Sequence, residues 1–158
     1  MTRAHGARAR HLARELLVKA LYQWQLAGHS VAELAAQFAA HEDYARCDAD
    51  FFGELLTVTI AEAPALDLLI ARQATRGVDQ LDAVGRAILL LGLAELKFRE
   101  DVPSKVVINE AVELAKRYGA AESYKFVNAV LDKMSRELRA SAGSSGSSGS
   151  SDSSGSPP

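Results

Sequence analysis

The sequence predicts an all-α fold, and three observations predict it. Apolar residues recur every three or four positions along nearly the whole of residues 8–139. Ser, Asp, Pro and Gly stand where helices need starts and stops. No segment shows the apolar–polar alternation between turn residues that marks a half-buried strand. With 158 residues, 48% of them hydrophobic, the chain is long enough for one domain with a sizeable core.

About seven helices follow in order. Ala13, Leu17, Ala20, Leu21 and Trp24 share one face of the first, and Gly28 is a natural stop for it. Ser30 and Glu33 have the capping-box form ahead of Leu34 and Phe38 in the second. Asp48 caps a third that carries Phe52, Leu55, Leu56 and Ile60. Pro64 suits the first turn of a fourth, with Leu66, Leu69 and Ile70, because a first-turn N–H has no helical partner to lose. Asp82 caps a fifth whose core, "AILLLGLAEL", is apolar nearly all round and therefore belongs at the centre of the molecule. Pro103 opens a sixth and Gly119 closes it, with Val107, Ile108, Ala111, Val112 and Ala115 packing and Glu113, Lys116 and Arg117 facing water. The seventh runs from about Glu122 to Leu138, with Val127, Val130, Leu131, Met134 and Leu138 on one stripe. Residues 1–7 read as a flexible basic arm. Residues 140–158, "ASAGSSGSSGSSDSSGSPP", read as a flexible Ser/Gly-rich tail that has no apolar surface to bury.

Charge is unevenly spread. The formal net charge is −2, but residues 1–14 hold Arg3, Arg8, Arg10 and Arg14 and no acid. Residues 30–70 hold eight acidic side chains against Arg46 alone. A nearly neutral protein with one basic end is able to bind a polyanion locally. Cys47 is the single cysteine, so there is no disulfide framework, and no Cys/His spacing suits zinc. No apolar run nears the ~20 residues of a membrane span, and a cytoplasmic protein is expected.

The residues of an enzyme are missing. The sequence has no phosphate-binding GxxxxGK[ST] loop, no GxGxxG after a strand, no GxSxG elbow and no HExxH. His5, His11, His29 and His41 all lie in the first quarter of the chain and read as surface side chains. The carboxylates beside Cys47 oppose thiolate formation. Glu110 and Glu113, one turn before Lys116 and Arg117, read as intrahelical ion pairs rather than as an acid–base pair. No catalytic residue, cofactor or metal ligand is expected.

A nucleic-acid surface fits better. Arg10 and Arg14 are four apart on the first helix and share a face expected to be exposed; Arg8 lies half a turn before them. The planar fork of arginine pairs with phosphate through two parallel hydrogen bonds. At the start of the last helix, Tyr124, Lys125 and Phe126 put a cation between two rings, a composition suited to phosphates and splayed bases of single-stranded RNA. Phe126 also lies four residues before Val130, and from spacing alone an aromatic in a helical stripe is more often core packing than a ligand contact.

Three blocks then carry a family resemblance. "ARELLVKALYQWQL" (Ala13 to Leu26), "PSKVVINEAVELAKRYG" (Pro103 to Gly119) and "KFVNAVLDK" (Lys125 to Lys133), in this order and spacing, resemble the NusB family of transcription antitermination factors. The resemblance spans about residues 8–138. It implies two three-helix subdomains packed crosswise, with the seventh helix completing the second. It also implies a non-enzymatic role: binding the boxA element of ribosomal RNA leader transcripts together with NusE, a small-subunit ribosomal protein, within the RNA polymerase antitermination complex. Carried over by position, the resemblance implies an RNA side at Arg8, Arg10, His11, Arg14, Glu122, Lys125 and Phe126. It implies a NusE side at Tyr22, Asp79 and Gly85. The chain departs from the family pattern twice. It reads "RHL" at Arg10 to Leu12, where a tight arginine run is common, and it has Gly85 where an acidic residue can meet the partner. Two alternatives stay open: a helical protein-binding adaptor without RNA, and a NusB-like front module of a ribosomal RNA cytosine methyltransferase.

Overall fold

A computed structural model describes the backbone of residues 3–73 and 81–154 and the side chains of residues 6–73 and 81–140. Among the described residues every regular element is helical: α1 (Arg3–Ala27), α2 (Val31–Ala39), a single 3₁₀ turn (Tyr44–Arg46), α3 (Ala49–Gln73), α4 (Ala83–Phe98), α5 (Ser104–Tyr118) and α6 (Ser123–Ser154). Helices α1 to α3 pack on one another, α4 to α6 do the same, and α4 also lies against both α1 and α3.

The predicted caps form. Ser30 Oγ accepts from the Glu33 N–H at 3.1 Å and Glu33 Oε1 accepts from the Ser30 N–H at 2.8 Å, a complete capping box. Asp48 Oδ1 accepts from the Phe51 N–H at 3.1 Å, and Asp82 Oδ1 from the Gly85 N–H at 2.7 Å. Gly28 ends α1 at φ +70°, a conformation that costs glycine little. At Gly119 the reason is space: a Cβ there would stand 2.7 Å from the Ala115 carbonyl oxygen.

Helix α4 is central, as its apolar run predicts. Residues Ala87 to Leu96 are all buried, including Gly92, where a Cβ would come within 2.8 Å of Leu131 on α6. Burying this helix on all sides removes a large apolar area from water, which favours assembly around it.

The structure differs from the predicted elements in two ways. The third and fourth helices are one continuous α3, with Pro64 inside it, so six α-helices stand where about seven are predicted. Pro64 removes one helical N–H and crowds the Ile60 carbonyl, which normally breaks a helix. Here Pro64 lies on the exposed side, where a displaced carbonyl can reach water, while Thr59, Ala63, Leu66 and Ile70 hold the opposite side in the core. Second, both terminal helices run past the predicted boundaries, α1 back to Arg3 and α6 on to Ser154. Once a helix is nucleated, each added residue contributes one hydrogen bond, so Ser and Gly prolong it at a modest local cost. Arg139 on α6 donates to the carbonyls of Glu95, Leu96, Arg99 and Val102 and so satisfies the C-terminal end of α4. No described helix is long and apolar enough to cross a membrane.

Candidate nucleic-acid interface

The seam where α1 meets α4 and α5 decides what the arginines of the first helix do. Arg14 and Glu95 are both buried, and the guanidinium binds the carboxylate through two bonds, Nε to Oε2 at 2.9 Å and Nη2 to Oε1 at 2.7 Å. A buried carboxylate needs such a partner, because leaving it charged and unpaired costs several kcal/mol (about 3–5). Arg14 is therefore structural, and the exposed face predicted for it does not form. The shared face does form: Arg10 and Arg14 both lie over the Phe51 ring, 4.7 and 4.9 Å from its centroid, and Arg99 lies 5.0 Å from it.

Arg10 sits at the outer edge of this cluster. Its side chain is 33% exposed, with Nε 3.3 Å from Asp48 Oδ2 and Nη1 3.6 Å from Asp101 Oδ2. Asp101 also takes a fork from Arg99, Nε and Nη2 each donating at 3.0 Å. The Arg99 bonds chiefly, with weaker help from Arg10, hold the Asp101 carboxyl at about 2, below its ordinary 3.8. Arg8 is exposed and has no ion-pair partner among the described residues.

His11 and Glu110 correct the expected intrahelical pairing. His11 Nδ1 lies 2.8 Å from Glu110 Oε1, and Arg14 Nη1 lies 3.6 Å from the same oxygen. Arg117 Nη1 donates to Glu15 Oε2 at 2.6 Å, and His11 Nε2 lies 3.5 Å from that atom. Glu110 and Arg117 therefore tie α5 to α1 rather than to their own helix. Glu113 and Lys116 do pair within α5, at 3.8 Å. Asn109 is exposed.

At the start of α6 the expected residues come together. Lys116 Nζ lies 5.1 Å from the Tyr124 ring centroid, and Lys125 Nζ lies 2.6 Å from Glu122 Oε1, with both partners well exposed. Tyr124 and Phe126 are half-buried against the core, each with one side to solvent. Glu122 has φ +70° and lies outside the helix, so it does not take the extended backbone of an ordinary cap. Two sets of contacts lie here: His11 and Arg117 both meet the buried Glu15, and Lys116, next to Arg117 in sequence, lies over Tyr124, beside the Lys125–Glu122 pair. Lys116 and Arg117 are exposed, as their place on the solvated face of α5 predicts, and what sequence reasoning did not supply is their neighbours, Tyr124 and Glu15. The position of Lys116 and Arg117 right after the packing face of α5 and before the α6 start was the available signal.

The residues expected to meet a protein partner lie at the other end of α1. Tyr22 is 40% exposed and Leu26 64% exposed. Together with Val18, Phe38 and Val84 they line an apolar groove of about 570 Å³ between α1, α2 and the first turn of α4. Gly85 is buried rather than presented: a Cβ there would stand 2.8 Å from Leu81 Cδ1, so Leu81 covers the place of a side chain at this position. Asp79 lies outside the described residues.

Burial, then the charges of Asp48 and Asp43, pushes the Cys47 thiol up, away from nucleophilic use. Among the described residues no group of three His, Cys, Asp or Glu side chains is placed to hold a metal.

Comparison with known proteins gives a consistent result. The NusB family model matches residues 11–136. The transcription antitermination protein NusB of Alcanivorax borkumensis is 49% identical over 131 residues, 83% of this chain and 87% of the relative. The protein of the same name from Photorhabdus laumondii is 47% identical over 131 residues, 83% and 95% of the two chains. Among solved structures, NusB of T. maritima superposes with a TM-score of 0.70 at 31% identity, covering 81% of this chain and 91% of that one. A crystal structure of the antitermination factors NusB and NusE in complex with double-stranded RNA superposes with a TM-score of 0.70 at 27% identity, covering 82% and 98%.

Proposed function

The chain belongs to the NusB family, and from that premise we propose that it is a non-catalytic, cytoplasmic transcription antitermination factor. It binds single-stranded boxA RNA of ribosomal leader transcripts together with NusE and enters the RNA polymerase antitermination complex. The observation that carries the RNA reading is that α5 ties the start of α1 to the start of α6: Arg117 bonds Glu15 beside His11, and Lys116 lies over Tyr124. In this reading two segments more than a hundred residues apart in sequence serve one RNA, with Lys116 and Arg117 between them. Arg8, Arg10 and His11 lead the RNA in, and Lys125 and Phe126 hold it at the far end. Arg14 acts through the seam, keeping α1 in register with α4. Glu122 at the far end limits the affinity by its charge.

NusE, in this reading, docks at the opposite end of α1, on Tyr22 and the first turn of α4. Gly85 and Leu81 make this surface less acidic and more apolar than a carboxylate at position 85 would. Tyrosine suits such a place because its ring buries apolar area while its hydroxyl stays hydrated.

The test is a titration of labelled boxA RNA and a scrambled control, with and without NusE, over a range of salt. With about four phosphates neutralised, log K against log salt should fall with a slope near −3 for a single strand. A flat salt response, or equal binding of both RNAs, would remove the RNA reading. Tyr22→Ala should weaken NusE binding about tenfold, in the range typical of an exposed interface aromatic, and leave binding of RNA alone unchanged. A protein that binds NusE normally after this change would move the partner site elsewhere.

A further inference from the structure

We propose that Asp48 and Asp101 are a carboxylate latch on Arg10: in the free protein they occupy a phosphate site that an RNA phosphodiester must take from them. The proposal rests on the RNA reading above and adds a pair of residues that set its affinity.

Three guanidiniums surround the Phe51 ring, and their partners differ in kind. Arg14 is buried and forked to Glu95 at 2.7 and 2.9 Å. Arg99 is forked to Asp101 at 3.0 Å twice and bonded to Glu54 at 3.0 Å. Arg10 has the long contacts, 3.3 Å to Asp48 and 3.6 Å to Asp101, each through a single nitrogen. Neither carboxylate depends on Arg10. Asp101 keeps its fork from Arg99. Asp48 is fixed from two other sides: its N–H donates to the Ala9 carbonyl at 3.0 Å, and its Oδ1 caps α3 at the Phe51 N–H. Release is therefore a swing of Arg10 alone, after which Arg14 and Arg99 still cover the ring.

There is room for the ligand. Beside Arg10 lies an open cavity of about 390 Å³, walled by Val102, Pro103 and Val106 and bordered by Arg14 and by the carboxylates Asp48, Asp101 and Glu110. A phosphodiester entering it would meet the partly exposed Arg10 guanidinium, the buried Arg14 behind it and three carboxylates, of which Asp48 and Asp101 hold Arg10 while Glu110 pairs with His11. The carboxylates repel the ligand and compete for the same N–H groups, so they cost affinity both ways. Because they are partly exposed, the effect is modest and falls with salt.

Asp48→Asn is the decisive variant, since Asn still caps α3 through its oxygen. With the labelled boxA RNA at low salt, it should bind about three times more tightly than the unchanged protein. The gain should shrink at high salt. Asp101→Asn should raise affinity in the same direction, and neither gain should survive in an Arg10→Ala background. Asp50→Asn, an exposed carboxylate two residues away, is the control for charge in general. Unchanged or weaker binding by Asp48→Asn overturns the latch, as does an equal gain from Asp50→Asn or a gain that persists without Arg10. In each of those cases RNA binding itself is intact, so the functional reading stands. Absence of RNA binding by every variant and by the unchanged protein sinks both.

Discussion

Arg10 and Arg14 are one helical turn apart and face the same ring, yet they belong to two different regions. Arg14 lies in the seam between the helix groups, sealed against Glu95; Arg10 lies on the rim, loosely held by carboxylates that have other partners. In the seam a charge is bound to structure, because removing its partner strands the other charge away from water. On the rim water and salt share the load, so a charge there affects ligands more than folding. The same residue type thus holds the scaffold at one position and is available to RNA at the next turn.

The sharpest way to break this contrast is to remove each arginine in turn. Arg14→Ala should destabilise the protein by about 3–5 kcal/mol, because Glu95 is left buried and unpaired. Replacing both, Arg14→Met with Glu95→Leu, should recover most of that loss. Urea unfolding of the three proteins measures it. A small loss for Arg14→Ala alone would mean that water reaches Glu95 and that the seam is not sealed. Arg10→Ala should change stability by less than about 1 kcal/mol. It should lower RNA affinity at low salt and make the salt slope shallower by about 0.7, the contribution of one phosphate contact.

How much of this was legible in the sequence follows from the range of each signal. Caps are local, and Ser30, Asp48 and Asp82 act as their neighbours predict. An apolar run on all faces has one physical solution, the centre of the molecule, and α4 lies there. Pro64 misled because its effect depends on whether water can reach the disturbed carbonyl, which only the packed helix decides. The burial of Arg14 was invisible at spacing i, i+4, since its partner is 81 positions away. One clue was present: Glu95 is a lone carboxylate inside an otherwise apolar helix, and such a group requires a buried cation. Lys116 and Arg117 face outward as predicted, but their contacts with Tyr124 and Glu15 were not legible, as helical spacing tells which residues face outward and not what lies beside them.

The rim predicts a small acid effect. Asp101 has its carboxyl lowered to about 2 from 3.8 by Arg99 and Arg10. A depressed carboxylate adds stability that is full above its unfolded value and lost as pH falls through its folded value. The stability gap between the unchanged protein and Asp101→Asn should therefore be constant above about pH 4 and close toward pH 2. The side chain is 53% exposed, so screening keeps the gap under about 1 kcal/mol. A gap that widens in acid would mean that Asp101 is not the group holding these arginines.

Glu122 gives the finest test of a rim charge, because its backbone and its charge can be separated. Its φ of +70° strains an ordinary side chain, while Asn tolerates this region. Its carboxylate pairs with exposed Lys125 and lies near a helix start, where negative charge is favoured by roughly 0.3–1 kcal/mol. Glu122→Asn and Glu122→Ala both remove that charge, and only Asn relieves the backbone. Asn should therefore be more stable than Ala by about 0.5–1 kcal/mol, leaving the Asn protein close to the unchanged one. For RNA the two should behave alike: each frees Lys125 and removes a repelling carboxylate, so each binds more tightly at low salt, with the gain fading as salt rises. Equal stability of Asn and Ala would show that position 122 leaves the left-handed region in solution. A gain in RNA affinity for one variant alone would assign the effect to backbone shape rather than to charge, and would separate the start of α6 from the rest of the rim.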